Sequence, residues 1–241
     1  MGAKGWIIFS VIAVGLLGVL VYFSGQNKID VTGIDLDNII AAEDRNGNIA
    51  DHVRGNTDSK VILIEYGDFQ CPGCYSVNPD VEELVDRYKD NLVFIFRNKP
   101  LAEMHPNARF AAAVVEAAGK QDRYWQMHAL VYHNQSEWSA ASSSERAKVF
   151  ENYARTLGLN VEKLNEDIES ESVTKKINFD LAVSREKNVN STPTFFLNGE
   201  VLSQEVWGDK DQFEQALRDA ITESGVELKD QTDDAKKDSD S

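Results

Sequence analysis

The sequence predicts an α/β fold in which a block of helices interrupts a small sheet, and three observations carry that prediction. Residues 61–96 read strand, helix, strand. Residues 105–188 carry helical periodicity only, and strand signals return at Thr194 ahead of one last helix. With 42% apolar residues the chain has the material for a core.

Taken in order, the chain begins with an apolar run from Trp6 to Phe23, eighteen residues without a charge. At about 1.5 Å per residue such a helix spans roughly 27 Å, close to the roughly 30 Å hydrocarbon core of a bilayer. Trp6 and Tyr22 sit near its ends, where amphipathic rings favour the interface, and Lys4 precedes it. The run is long for a signal-peptide core and leaves through Tyr22-Phe23-Ser24-Gly25-Gln26, a poor cleavage site. Residues 1–26 are therefore expected to be an uncleaved single-pass anchor, with the rest of the chain outside the cytoplasm. Residues 27–47, rich in Asp, Asn and Gly, read as a polar spacer into a lead-in from Asn48 to Gly55.

Val61-Ile62-Leu63-Ile64 is a continuous branched run, as in a strand covered on both faces. Pro72 opens a helix whose apolar positions, Val77, Val81, Leu84, Val85 and Tyr88, recur mostly every three or four residues. Asn91 to Phe96 is a second buried strand, which makes a βαβ unit with parallel strands. Helical patterns then follow at Ala108–Ala118, Tyr124–Tyr132, Glu145–Leu157, Val161–Ile168 and Val173–Val183. Thr194 to Leu197 is a strand, Asn198-Gly199 a hairpin turn, and Val201-Leu202 begins the return. Asp209 is placed to cap a final helix from Lys210 to Ser224. Residues 225–241 are acidic and too polar to pack, so a disordered tail is expected. The net charge of −15 argues against nucleic acid as a partner.

Both cysteines lie in Phe69-Gln70-Cys71-Pro72-Gly73-Cys74-Tyr75. A structural disulfide over so short a loop gains little chain entropy, and a metal site needs more ligands than one Cys-x-x-Cys supplies. A redox pair fits the position best, because Cys71 follows a buried strand and directly precedes a helix. There the unpaired N–H groups and the helix dipole favour a thiolate. The helix terminus alone accounts for a Cys71 pKa near neutrality, and Pro72-Gly73 adds no polar side chain. Cys74, one turn on, is expected to be the buried resolving thiol of ordinary pKa. Glu65, at the end of an apolar strand, is expected to be buried with a raised pKa and to exchange a proton with Cys74. A cis Thr192–Pro193 bond would leave a tight, exposed backbone edge.

These residues resemble a family. Strand, CPGC, helix, strand, a helical block and then TPTFFLNG is similar to the thioredoxin superfamily, and to its DsbA-like branch in particular. HVRGNTDSKVILIEYGDFQCPGC looks like the lead-in, first strand and active site of that branch. NKPLAEMHPNARFAAAVVEAA and RYWQMHALVY look like its inserted helices. The resemblance implies a thioredoxin fold, residues 48–104 and 189–224, with an all-helical insertion at 105–188, preceded by one transmembrane helix. It implies Cys71 as nucleophile, Cys74 as resolving cysteine and Glu65 as the buried acid. Pro193 matches the cis-proline facing the site, and Thr192 the residue whose backbone pairs with substrate; Pro72 and Gly73 complete the active-site backbone. His105, Trp125 and His128 match family positions and are expected to be packing or helix-start residues, and Phe69 and Tyr75 to pack around the site. Gly73 stands where the most oxidising relatives carry His.

The function implied is a membrane-tethered, extracytoplasmic thiol–disulfide oxidoreductase, acting as a monomer without a cofactor and forming disulfides in exported proteins. A quinone-linked membrane protein is expected to recycle the pair. The alternatives are a reductase or isomerase of the same fold, or a metal-holding or chaperone module without turnover.

Overall fold

The computed structural model describes residues 29–225, together with positions 2, 5, 6, 9, 10 and 12–18. The expected acidic tail lies outside the described residues from 226 onward, as do several positions of the apolar run Trp6–Phe23. Among the described residues no helix is long and apolar enough to cross a membrane. Residues 12–18, in the middle of that run, are helical.

Five strands form one mixed sheet: β1 (His52–Gly55), β2 (Ile62–Gly67), β3 (Val93–Asn98), β4 (Thr194–Leu197) and β5 (Glu200–Val201), in the order β1-β3-β2-β4-β5. β2 and β3 run parallel, with Ile64 beside Ile95, and the other pairs are antiparallel. The parallel pair is joined by α1 (Pro72–Arg87), whose Val77, Val81, Leu84 and Val85 are buried against the sheet's core. The turn at Asn198-Gly199 has positive φ at both residues, as a tight hairpin between right-twisted strands requires. β1 was not legible as a strand, since its polar residues His52 and Arg54 suit a short edge where one side meets solvent.

Between β3 and β4 the chain is helical: α2 (Ala108–Gly119), α3 (Tyr124–His133), α4 (Gln135–Trp138), α5 (Ser143–Thr156), α6 (Val161–Ile168) and α7 (Glu171–Glu186). α5 begins with a capping box in which Ser142 and Glu145 satisfy each other's backbone ends. After the hairpin come α8 (Gln204–Trp207) and α9 (Lys210–Glu223), the latter capped by Asp209 accepting from the Gln212 N–H.

The period of two along β2 and β3 divides the core. Leu63, Phe94 and Phe96 face one cluster, with α1, α9 and most of the helical block. Ile64, Tyr66, Val93 and Ile95 face the other, with Phe179, Val183, Val31 and Ile40. The last two residues correct the reading of 27–47 as a spacer. From Ile29 onward this segment lies against the sheet's second face, with Val31 and Ile40 buried and Asn46 fully enclosed.

A charged network absent from the sequence reading fixes this strap. Arg97, fully buried on β3, holds Asp51 at 2.7 Å and donates to the carbonyls of Leu36 and Asn38. Lys176 on α7 meets Asp51 at 3.0 Å and Asp180 at 2.8 Å. The Asn98 amide then donates to Asp180 and to Glu116 on α2, which pairs with His52 at 2.9 Å. Strap, sheet and helical block are thus cross-linked through side chains that are mostly buried. Despite the desolvation that opposes it, the two cations hold Asp51 at about 2.

Candidate active site

β2 ends at Gly67 and α1 begins at Pro72, so the turn Asp68–Cys71 delivers Cys71 to the helix N-cap with extended backbone, φ −69° and ψ 125°. Both cysteines are free thiols; Cys71 is 8% exposed and Cys74 is fully buried. The Cys71 thiolate is stabilised above all by the Cys74 S–H, which donates to it. Burial opposes this, while the Thr192 hydroxyl and the N–H groups of Cys74 and Gly73 reinforce it. The balance brings Cys71 down from 9.0 to about 5. As a thiol, Cys71 instead donates to the Thr192 carbonyl at 3.3 Å. The Thr192 hydroxyl is buried and has no hydrogen-bond partner beside the Cys71 thiol, which leaves it available to the thiolate.

This corrects the expectation of a Cys71 pKa near neutrality. Pro72-Gly73 indeed offers no polar side chain, but the donors come from the backbone, from Cys74 and from the Thr192 loop. Cys74 is corrected too: burial, its hydrogen bond to Cys71 and the nearby charges of Glu65 and Cys71 push it well above the usual thiol range. The Asp68 N–H, 3.5 Å from Cys74 Sγ, offsets part of this.

Glu65 sits in β2 between Phe96 and Phe195 of the neighbouring strands and is 2% exposed. Burial, with the Cys71 charge second, raises its carboxyl to about 8. The Thr192–Pro193 peptide is cis. A Cβ on Gly73 would lie 3.2 Å from Pro193 Cδ and 3.7 Å from Cys71 Sγ, so the Thr192-Pro193 loop and the cysteine pair meet across this glycine. The structure therefore brings Glu65, Cys71, Cys74, Gly73, Thr192 and Pro193 into one place, with Pro72 in the first helical turn.

The flanking residues divide. Phe69 is buried against Phe96, Tyr132 and His128. Tyr75, expected to pack, is 46% exposed, because its place in the first turn of α1 faces away from the sheet. His128 is enclosed by aromatic rings, and desolvation keeps it neutral, lowered to about 3. Trp125 donates to the Val53 carbonyl at 2.8 Å. His105 has a task sequence reading missed: its Nδ1 lies 2.7 Å from Asp68 Oδ2, which also accepts from the Leu101 N–H. Asp68 is itself buried and accepts Cys71 N–H at its carbonyl, so it anchors the turn carrying the nucleophile. Two amides, Gln70 and Gln135, were also missed. They carry no long-range sequence signal, since only the fold reveals what they bridge. Among the described residues no group of three or more His, Cys, Asp or Glu side chains converges to hold a metal ion.

A family model described as Thioredoxin matches residues 47–221, and the chain belongs to that family. Within it, the fold is of the DsbA type. Oxidised BdbD of Bacillus subtilis matches at TM-score 0.63 and 21% identity, over 77% of this chain and 98% of that one. The alpha-DsbA1 of Wolbachia pipientis matches at 0.62 and 19%, over 74% and 94%. A thioredoxin-like oxidoreductase from Silicibacter pomeroyi matches at 0.56 and 26%, over 74% and 99%. The chain is also 36% identical, over 149 residues, to a Na(+)/H(+) antiporter NhaA 1 of Salinispora arenicola, covering 62% of this chain and 22% of the antiporter. The chain thus spans less than a quarter of the length of that relative.

Proposed function

We propose that the chain is a membrane-tethered, extracytoplasmic thiol–disulfide oxidoreductase that forms disulfides in exported proteins. The observation that carries this reading is the placing of two sulfurs one helical turn apart, Cys71 at the N-cap of α1 beside the Thr192-Pro193 loop and Cys74 fully buried behind it, an arrangement that lowers Cys71 to about 5 and pushes Cys74 well above its ordinary value. A stabilised thiolate stabilises the reduced pair, and so makes its disulfide the stronger oxidant. The same low pKa makes Cys71 the better leaving group.

In the oxidising direction a substrate thiolate attacks Cys71 Sγ of the Cys71–Cys74 disulfide. The Cys71–Cys74 bond breaks, and Cys74 leaves and takes a proton, which Glu65 supplies because its carboxyl is held protonated to about pH 8. A second substrate thiolate then attacks the substrate sulfur of the mixed disulfide and expels Cys71 as a thiolate. The substrate loses two electrons and the pair gains them, so a redox partner in the membrane must take them back. In reverse, Cys71 attacks first and Glu65 receives the Cys74 proton. The Thr192 backbone beside Cys71 is the surface on which the substrate chain lies.

The anchor rests on the uncharged run Trp6–Phe23, and the extracytoplasmic side on the basic Lys4 before it, the flank that stays inside. Residues 48–104 and 189–224 are read as the thioredoxin part and 105–188 as its insertion; one copy holds every group the reaction uses. The test is refolding of a reduced, cysteine-containing client. Cys71→Ser abolishes disulfide formation, and Cys74→Ala, whose Cys71 thiolate attacks a client that already carries a disulfide and releases one client thiol, accumulates a mixed disulfide with that client through Cys71. A Cys71→Ser protein as active as the wild type, or a Cys74→Ala protein that traps nothing, overturns the reading.

A further inference from the structure

The helical block does more than cover the site, because it reaches the nucleophile through two amide side chains that cross in opposite directions. Gln135, first residue of α4, donates from Nε2 to the Phe69 carbonyl at 2.8 Å and to the Cys71 carbonyl at 3.2 Å. Gln70, between those two carbonyls, points back: its Oε1 accepts the Asn107 N–H at 2.7 Å, and its Nε2 donates to the Ser139 carbonyl at 2.7 Å. Gln135 is 9% exposed, and one amide spanning the carbonyls of residues i and i+2 fixes the backbone between them. The Cys71 carbonyl also accepts the Tyr75 N–H at 3.0 Å, the first bond of α1. The angle at which that helix aims its free N–H groups at Cys71 Sγ is therefore set jointly by α1 and by Gln135.

We infer that Gln135 is a positioning residue for Cys71, through which the helical block holds the nucleophile's backbone in the geometry that aims the helix N–H donors at its sulfur. The inference deepens the proposed oxidoreductase reading and names a specific control on its nucleophile.

The test reads the Cys71 thiolate itself, by ultraviolet absorbance and by the pH profile of iodoacetamide alkylation, so it is independent of any turnover assay. Gln135→Met keeps the volume and removes both bonds. It is expected to raise the alkylation midpoint by about one pH unit, a roughly tenfold loss of thiolate at pH values below that midpoint. Tyr153→Phe is the matched control: it removes the Tyr153 hydroxyl's bond to Glu137 of the same short helix, at 2.9 Å, without touching residues 69–71. It is expected to lower the melting temperature and leave the midpoint in place. Gln135→Asn, which keeps an amide too short to span both carbonyls, gives an intermediate midpoint and serves if the Met variant does not fold. A midpoint unchanged in the Gln135 variant that folds, or moved equally by Tyr153→Phe, overturns the inference. If the midpoint moves while client oxidation is absent from the wild type too, the positioning role stands and the enzyme reading falls.

Discussion

Replacing Glu65 with Gln tests the buried acid by its cost to stability as well as by its chemistry. The carboxyl is raised from 4.5 to about 8, so the folded state holds a proton that the unfolded chain gives up. Its contribution to stability therefore falls as pH rises from about 4.5 to about 8 and is constant above that. Worked through, the cost is about 1 kcal/mol at pH 5 and about 3 kcal/mol at pH 7. Gln has the same shape and no charge to desolvate, so the variant should be more stable than the wild type by roughly 2 kcal/mol more at pH 7 than at pH 5. The assay is urea unfolding of the reduced proteins at both pH values, read as the difference between variant and wild type. That difference matters because Cys71, depressed to about 5, adds a pH dependence of the opposite sign to both proteins. In the same variant, resolution of a mixed disulfide should slow by at least tenfold, since proton transfer to or from Cys74 loses its partner. An equal gain at both pH values, or no gain at pH 7, refutes the raised carboxyl; an unchanged resolution rate refutes its proton-transfer role.

Other expectations follow from the same geometry. Alkylation of Cys71 in the wild type should show a midpoint near pH 5, with Cys74 unreactive across the neutral range, as mass spectrometry of the labelled peptides would show. Thr192→Val removes the buried hydroxyl that serves the Cys71 thiolate and should raise that midpoint by about one pH unit, since a hydrogen bond to a charged group contributes about 1.5–3 kcal/mol. An unmoved midpoint would exclude the hydroxyl as a donor. Arg97→Met leaves Asp51 with Lys176 alone and strips donors from the Leu36 and Asn38 carbonyls. It should cost about 3–5 kcal/mol in urea unfolding and free the strap to proteolysis, while a loss under about 1 kcal/mol would mean the network is solvated.

Much of the sheet and of the site was legible because local pattern and tertiary role agree there. The apolar runs at 61–64 and 91–96 suit strands covered on both faces, and Pro72 marked the first turn of the helix that follows the first of them. Cys71, Cys74, Glu65 and Pro193 stood out by chemistry and by position. What escaped was decided across the fold. Asp51 and Arg97 lie far apart in sequence in an otherwise ordinary polar lead-in and a strand, and only the pairing of β1 with β3 brings them together. The strap was misread because its few apolar residues, Val31 and Ile40, are too widely spaced to form a pattern, although each fills a gap in the second core. The acidity of Cys71 was underestimated because two donors add to the helix N–H groups already counted, the Cys74 thiol and a Thr192 hydroxyl 121 residues away.

The central claim is that this site stabilises the Cys71 thiolate enough to make the pair an oxidant. Its most direct test is the reduction potential of Cys71–Cys74, from equilibration with glutathione buffers and quantitation of the two redox forms. A thiolate near 5 lies between the most acidic Cys-x-x-Cys sites, near 3.5, and the thioredoxin-like value of about 7. The account therefore predicts a potential between about −120 and −200 mV, and a value at or below about −270 mV would contradict it.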